Sequence, residues 1–408
     1  MAKITWREAF PQEFRGCVAT IGNFDGVHRG HLALVRQLRR LADELGVPAV
    51  VVTFDPHPLA VLAPDRFEPL LTTPQQRAEL LRVAGADRVL ILRTEPSLLA
   101  LSPEAFFTEI LNARMQIRGL VEGPNFRFGH DRAGDVSLLG RLCAERGLPC
   151  VIVEPELLNG QMISSSKVRQ ALQGGDVSAA RNWLGRPYRL EGVVVEGAGR
   201  GRRLGFPTAN LADLATLVPR PGVYAAWAVV EGSGAEQNRP HIAAVHIGPN
   251  PTFAESVNKV EVHLLDHSEN LLGKRLAVDF LQRIRDVQRF DSAEHLTRQI
   301  AEDLAAVRAA ARTAEGPDGS LRVTPSLPAA AHDGVAERIV RVLEQEVRPG
   351  LKESGSDVEF VAFDRGVVSL RFSGACGSCP STAFALLQEI ERLLRERVPE
   401  VEYLETVA

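Results

Sequence analysis

From Gly16 to about Trp183, short apolar runs alternate with stretches of helical period. "CVATIG" and "PAVVVTFD" read as buried strands, and "HLALVRQLRRLADELG" between them reads as an amphipathic helix closed by Gly46. "DRVLIL", "IRGLVEG" and "PCVIVEP" predict further strands, with helices expected near Pro74–Val83 and Pro103–Ala113. Strands alternating with helices predict a parallel sheet with crossover helices, whose ligands sit at the carboxyl ends of the strands.

The pattern changes near Gly185. "YRLEGVVVEG", "GVYAAWAVVEG", "HIAAVHIG", "KVEVHLLD" and "RLAVDFLQRIR" follow one another without long helices between them. Short strands separated by turn residues predict a small antiparallel barrel, closed by a helix over roughly Ser292–Ala311. "TAEGPDGSLRVTPSLPAAAHDG" is rich in Gly, Pro, Ser and Ala and reads as a linker. The last stretch reads as helix, two strands ("VEFVAF", "VVSLRF"), a Cys–Gly loop and a helix. The expected organisation is therefore 1–184, 185–311, a linker at 312–333, and 334–408. The fold class is multidomain: α/β, then a β-barrel, then a small α+β unit.

Composition narrows the setting. The 408 residues are 45% hydrophobic and 24% charged, and the net charge of -4 offers no general nucleic-acid or anionic-membrane surface. The opening "MAKITWREAF" has no apolar core of signal-peptide kind, and no apolar run approaches the roughly 20 residues that span a bilayer. Five cysteines, Cys17, Cys143, Cys150, Cys376 and Cys379, include only one close pair and do not form a disulfide framework. A reducing cytoplasm is the expected compartment, with no nucleic-acid or membrane partner.

"GNFDGVHRGH" (22–31) follows the first strand and opens the first helix. A helix N-terminus carries unpaired N–H groups and partial positive charge, glycines permit close backbone approach, and histidines can donate to a phosphoryl group. Beside this stands the plainer reading of a polar turn. "TFDPHP" (53–58), "GPNFRFGHDRAGD" (123–135) and "ISSSKVRQAL" (163–172) supply three more polar clusters at the same sheet edge, the last with Ser and Lys/Arg at a helix start.

This set closely resembles the adenylyltransferase half of bacterial bifunctional riboflavin kinase/FAD synthetases, whose HxGH nucleotidyltransferase signature "GNFDGVHRGH" matches. The resemblance implies a Rossmann-like nucleotidyltransferase domain in which His28 and His31 contact ATP phosphates. It assigns Gly22, Asn23, Phe24, Asp25, Ser166 and Arg169 to ATP and phosphate, and Phe54, Asn125 and Phe126 to the flavin. Catalysis in this class is positioning and charge stabilisation without a covalent enzyme intermediate.

"GAGRGRRLGFPTANL" (197–211) is dense in glycine and arginine, a loop able to cradle phosphate or simply to lie solvated. "PTAN" offers Thr208 and Asn210 to Mg²⁺ and phosphate oxygens, and "VEVHLLD" sets Glu261 among alternating apolar residues, as a general base or as a solvent-facing strand residue. With "PGVYAAW" and "IGPNPTF", these segments resemble the riboflavin kinase barrel. The resemblance implies phosphate binding at Gly201 and Arg202, Mg²⁺–ATP at Thr208 and Asn210, and Glu261 as base toward the ribityl hydroxyl. The chain departs from that family at His246, where Asn is usual, at Val287, where an acid is usual, and at "HSENLLG", where a "DLYG"-type turn is usual.

"GACGSCPST" (374–382) carries Cys376 and Cys379, two thiolates spaced to share a metal or an iron–sulfur cluster; a redox pair and an incidental turn are the other readings. "VRPGLKESGSDVEFV" and "SGACGSCPSTAFALLQEIERLLRERVPEV" resemble the C-terminal domain of NifU-type iron–sulfur scaffold proteins, with "ESGSD" where that family often has "DGGD". Two cysteines fill half of four thiolate positions, so a cluster would be shared across a homodimer or completed by a partner or a small thiol. The resemblance implies a labile cluster passed to client apoproteins. Taken together the expectation is riboflavin to FMN to FAD with ATP and Mg²⁺, plus an iron–sulfur tail. The alternatives are an iron–sulfur carrier whose flavin domains bind nucleotide without turnover, and a different nucleotidyltransferase.

Overall fold

Strands that are apolar at successive positions must be covered on both faces. In the computed structural model, β1 (Ala2–Ile4), β2 (Val18–Ile21), β3 (Ala49–Asp55), β4 (Arg88–Arg93), β5 (Gly119–Glu122) and β6 (Cys150–Ile152) form that sheet. All its pairs are parallel, in the order β1-β4-β3-β2-β5-β6. Alternation divides the strands between two cores. Val18, Val51, Val89 and Val121 pack with Val35 and Leu38 of the Arg29–Leu45 helix. Ala19, Val50, Val52, Leu90 and Leu120 pack with Phe107 and Ile110 on the other side. The structure describes residues 1–197, 199, 201, 205–231, 239–249, 259–267, 269–314, 333–348, 356–364, 367–374, 390, 393–394, 397–398, 401 and 403–406, some of the last unit by backbone alone.

From β2 the strand order proceeds to β3 and β4 on one side and to β5 and β6 on the other. This reversal opens a crevice between β2 and β5 at their carboxyl ends, the position at which open α/β sheets take ligands. The Arg29–Leu45 helix starts there, and its far end is the expected glycine cap, Gly46 at φ 64°. Edge strand β1 and the hairpin of β7 (Leu157–Leu158) and β8 (Gln161–Met162) were not anticipated, being too short to show a period. The helix expected near Pro103–Ala113 is one α turn, Pro103–Ala105, continuing as a π-helix, Phe106–Arg114.

The barrel is closed by six strands: β9 (Tyr188–Val195), β10 (Ala209–Ala212), β11 (Gly222–Val230), β12 (Pro240–Gly248), β13 (Lys259–Leu264) and β14 (Arg275–Arg285). Five of these were legible; β10, four residues inside the Gly- and Arg-rich segment, was not. Inward residues such as Leu190, Val245, Val262, Val278 and Phe280 fill it. The same apolar cluster includes Leu71, Val168, Leu172 and Leu184 from the preceding residues. Residues Met1–Leu327 accordingly form one compact unit. A helix, Ala293–Ala314, ends three residues beyond the expected limit and lays Val307, Ala311 and Ala314 against Ala225 and Trp227 outside the barrel.

Pro328–Ala408 form the second unit. A helix, Asp333–Val342, runs into a π-turn, Leu343–Val347, and β15 (Ser356–Asp364) pairs antiparallel with β16 (Val367–Gly374). β16 also pairs in parallel with β17 (Tyr403–Thr406), a strand the pattern did not announce. Ile339, Leu343, Val358, Leu370 and Leu394 form its core. Among the described residues no helix is long and apolar enough to cross a membrane.

Candidate active sites

A cavity of about 540 Å³ occupies the carboxyl-end crevice of the parallel sheet. Ten of the residues expected at the first site line it: Gly22, Asn23, Phe24, Asp25, His28, His31, Asn125, Phe126, Ser166 and Arg169. Phe54 is not among the lining residues; it packs against the core beside the sheet.

The loop between β2 and the first helix is held in an unusual shape. Phe24, Gly26 and Val27 have φ of 49°, 81° and 40°, in the left-handed region that side chains disfavour. Glycine is required at 26 for a second reason, since a Cβ there would stand 2.8 Å from Leu71 Cδ1. Side chains from elsewhere hold the loop's carbonyls. Thr53 Oγ1 donates to Asn23 O (3.0 Å) and Ser165 Oγ to Asp25 O (2.8 Å). Arg186 donates to Gly26 O (2.7 Å) and Val27 O (2.9 Å).

Asp25 is 2% exposed, and its carboxylate is fully engaged. It accepts from the Leu71 and Thr72 amides (3.0 and 3.1 Å), from Thr72 Oγ1 (3.1 Å) and from Arg169. Arg169 also donates to Pro69 O (3.1 Å). Removing one partner of such a buried pair costs about 3–5 kcal/mol. Asp25 therefore holds Arg169 in place where both line the cavity.

His28 caps the first helix: its Nδ1 accepts the His31 N–H at 3.3 Å, so the imidazole proton sits on Nε2. Its ring stacks on that of His31, with centroids 3.6 Å apart and planes 14° from parallel. Burial, helped by the charge of Arg186, pushes the His28 pKa down to about 3. Burial and then the neighbours His28, Arg77 and Arg186 push His31 well below its usual value. Both rings are neutral hydrogen-bond donors near pH 7, beside a helix N-terminus and opposite a second helix, Ser165–Gly174, capped by Ser164. The arrangement favours anionic oxygens without prior protonation of histidine.

Several lining or supporting groups escaped the sequence reading. Arg77, 1% exposed, donates to Thr53 Oγ1 at 3.2 Å and lies 3.7 Å from Asp25. His57 lines the cavity, its Nδ1 accepting from the Leu59 amide at 3.1 Å, with its pKa lowered to about 4 by burial. Glu122 lines it as well, and burial pushes its carboxyl well above the usual range. A glutamate ending an apolar run was a legible oddity; the partners of Arg77 and Arg186 were not.

The second site lies on the barrel's outer face. Asn210 on β10 stands opposite Glu261 on β13, which stands opposite His246 on β12, so the three form one row across three strands. Their strand neighbours Ala209, Leu211, Val260, Val262, Val245 and Ile247 point into the barrel. His246 Nδ1 is 3.9 Å from the Glu261 carboxylate and has no hydrogen-bond partner among the described residues. Burial lowers the His246 pKa, with Glu261 opposing.

His263 Nδ1 meets Pro207 O at 2.7 Å, and the Phe206 amide donates to Gly201 O at 2.8 Å, just before "PTAN". Gly197 lies close against Asn210: a Cβ there would fall 2.0 Å from Asn210 Nδ2, so a side chain at 197 would push the Asn210 amide aside. Asn210 lines a cavity of about 620 Å³ with Gly197, Arg220 and Lys259; Thr208 is exposed outside that lining, and Glu261 follows the lining residue Val260. Val287, one of the departures, packs close to Gly248. Arg202, Cys376 and Cys379 lie outside the described residues. Among the described residues no group of three or more His, Cys, Asp or Glu could hold a metal ion.

Three family models match consecutive parts of the chain: FAD synthetase at residues 10–167, riboflavin kinase at 184–311 and a NifU-like domain at 339–405. A bifunctional riboflavin kinase/FMN adenylyltransferase of Pseudomonas fluorescens is 41% identical over 300 residues, covering 73% of this chain and 94% of its own length. The protein of the same description from Escherichia coli K12 is 39% identical, with coverage of 72% and 91%. A crystal structure described as a macrolide-efflux protein from Streptococcus pneumoniae superposes with a TM-score of 0.67 at 30% identity, covering 75% of this chain and 98% of that one. The chain belongs to the bifunctional riboflavin kinase/FMN adenylyltransferase family and carries a NifU-like domain in addition.

Proposed function

We propose that the chain makes FAD in two ATP-dependent steps and carries an iron–sulfur cluster on its last unit. The observation that carries the first part is the crevice cavity, where the stacked His28 and His31, two helix N-termini and the Asp25-held Arg169 converge.

In the adenylyl step a phosphate oxygen of FMN attacks the α-phosphorus of ATP, the α–β bridging bond breaks, and pyrophosphate leaves. His28, through Nε2–H, and His31 donate to the phosphoryl oxygens as charge shifts onto the leaving group, and Arg169 and the amides at the Ser165–Gly174 helix start hold the polyphosphate. Gly22 to Asp25 shape the backbone around it. Asn125 and Phe126 bound the flavin side; Phe54 shapes it from behind.

In the kinase step Glu261 takes the proton of the ribityl hydroxyl as that oxygen attacks the γ-phosphorus of ATP and ADP leaves. Gly201 and Arg202 belong to the phosphate loop. The hydroxyl of Thr208 and the amide oxygen of Asn210 are hard oxygen donors that suit Mg²⁺, and both follow closely on Phe206, whose amide bonds Gly201 O. Mg²⁺, when bound with ATP, supplies charge neutralisation at the β- and γ-phosphates.

At the tail, Cys376 and Cys379 supply two thiolates, and two copies of the chain complete a four-thiolate cluster for transfer to apoprotein clients. The compartment is the cytoplasm, and no nucleic acid or membrane is a partner. The test separates the sites: Glu261→Gln should abolish riboflavin phosphorylation while FMN still becomes FAD, and His31→Asn should do the reverse. Loss of both activities in either variant would refute the assignment of two independent centres. A wild-type chain that binds ATP and flavin but converts neither would favour the cluster-carrier alternative.

A further inference from the structure

Glu122 ends β5 in the crevice where the strand order reverses. The β2–β5 ladder stops at Ala19 and Leu120. Two residues further on, the Ile21 N–H is taken by the Glu122 carboxyl, Oε1, at 2.7 Å. The side chain is 1% exposed, yet it lines the adenylyl cavity with Gly22, Gly123 and Asn125. No Lys, Arg or His forms a salt bridge with it among the described residues, and burial pushes its carboxyl well above the usual range, with the Ile21 N–H opposing, which favours the protonated form. In that form, with Oε1 accepting from Ile21, the proton sits on Oε2. The group then presents one donor beside one acceptor, in an order fixed by the backbone.

We propose that the Glu122 carboxyl is a specificity element of the adenylyl-transfer site, bonding with its donor and its acceptor a heterocycle edge on which an acceptor lies beside an N–H. Adenine has such an edge at N1 and the 6-amino group, and the flavin pyrimidinedione ring has one at N3–H and its carbonyls. The mechanism gives Glu122 no part in the phosphoryl chemistry, and the inference rests on the adenylyl-transfer reading.

The test uses the full chain and the variants Glu122→Val and Glu122→Gln. ATP is compared with purine riboside triphosphate, which lacks the 6-amino group, and FMN with its N3-methyl derivative. Each ratio is read as KM in FAD formation and as Kd by calorimetry, so a chain that binds without turnover still answers. Wild type should prefer the natural ligand of one pair by about 10- to 100-fold. Valine should bring that ratio near one, and glutamine, which keeps one donor and one acceptor, should restore most of it. Loss in the ATP pair assigns the edge to adenine, and loss in the FMN pair assigns it to the flavin. Unchanged ratios in the valine variant, even with slower turnover, would overturn the proposal and leave Glu122 as a support for Ile21. Riboflavin phosphorylation at the barrel serves as the folding control.

Discussion

Replacing Arg186 by methionine tests how the nucleotide loop is held. Arg186 lies at the entrance to the barrel, yet its guanidinium donates to Gly26 O and Val27 O, 160 and 159 residues away in sequence. Burial lowers its pKa to about 10, so it remains a cation at neutral pH. The loop it grips carries two non-glycine residues, Phe24 and Val27, at positive φ. Each costs about 1–2 kcal/mol, so about 2–4 kcal/mol of strain must be offset. Two hydrogen bonds from a charged donor supply about 1.5–3 kcal/mol each. Methionine keeps much of the bulk and removes both bonds, which lets the loop relax away from the shape that presents His28. A shift of about 2–4 kcal/mol, at 1.4 kcal/mol per tenfold, lowers kcat/KM for FAD formation from FMN by about 30- to 700-fold. Riboflavin phosphorylation should change less than about threefold, since the carbonyls that Arg186 grips belong to the loop of the first site, while strand register sets the row of Asn210, Glu261 and His246. The assay is paired: chromatographic FAD formation from FMN, and FMN formation from riboflavin, with a melting curve to establish folding. A folded variant that adenylylates FMN within threefold of wild type would refute the claim that Arg186 maintains the loop.

His28 makes the fold acid-sensitive. Its pKa falls from 6.5 in the unfolded chain to about 3 in the folded one, so between these values the unfolded state binds more protons and stability falls as pH drops from 6.5 toward 3. The full effect is roughly 4–5 kcal/mol at 1.4 kcal/mol per unit. His28→Asn should flatten the dependence of the urea midpoint on pH in that window by up to about one proton; an unchanged slope would count against the buried neutral ring. For the tail, anaerobic reconstitution with iron and sulfide should give visible charge-transfer absorbance with about one cluster per two chains, lost in Cys376→Ser and Cys379→Ser. Absorbance that survives both substitutions would exclude these thiols as ligands.

The elements with a strong period were legible from the chain. The Arg29–Leu45 helix buries Leu32, Val35, Leu38 and Leu41 on one face and ends at Gly46 in the left-handed conformation, as its spacing predicts. The polar clusters after β2 and β5 and at the Ser165–Gly174 helix start do meet in one cavity, because parallel strands deliver their carboxyl ends to the same edge. What stayed hidden depends on partners distant in sequence. Arg186 looked like a boundary residue because what it binds is a backbone carbonyl. Asp25 looked like a ligand contact, whereas its carboxylate is spent on Leu71, Thr72 and Arg169. Glu122, a glutamate at the end of an apolar run, gained its meaning only from the crevice that encloses it. The His246 departure likewise gained meaning only from register, which sets it opposite Glu261.

The central claim is that one chain holds two working centres that act in sequence. Purified full-length protein given riboflavin, ATP and Mg²⁺, with the flavins separated by chromatography over time, tests it most directly. The account predicts that FMN appears first and FAD follows, and that FMN supplied alone is converted to FAD with release of pyrophosphate. Riboflavin left unchanged, together with FMN left unchanged, would contradict it.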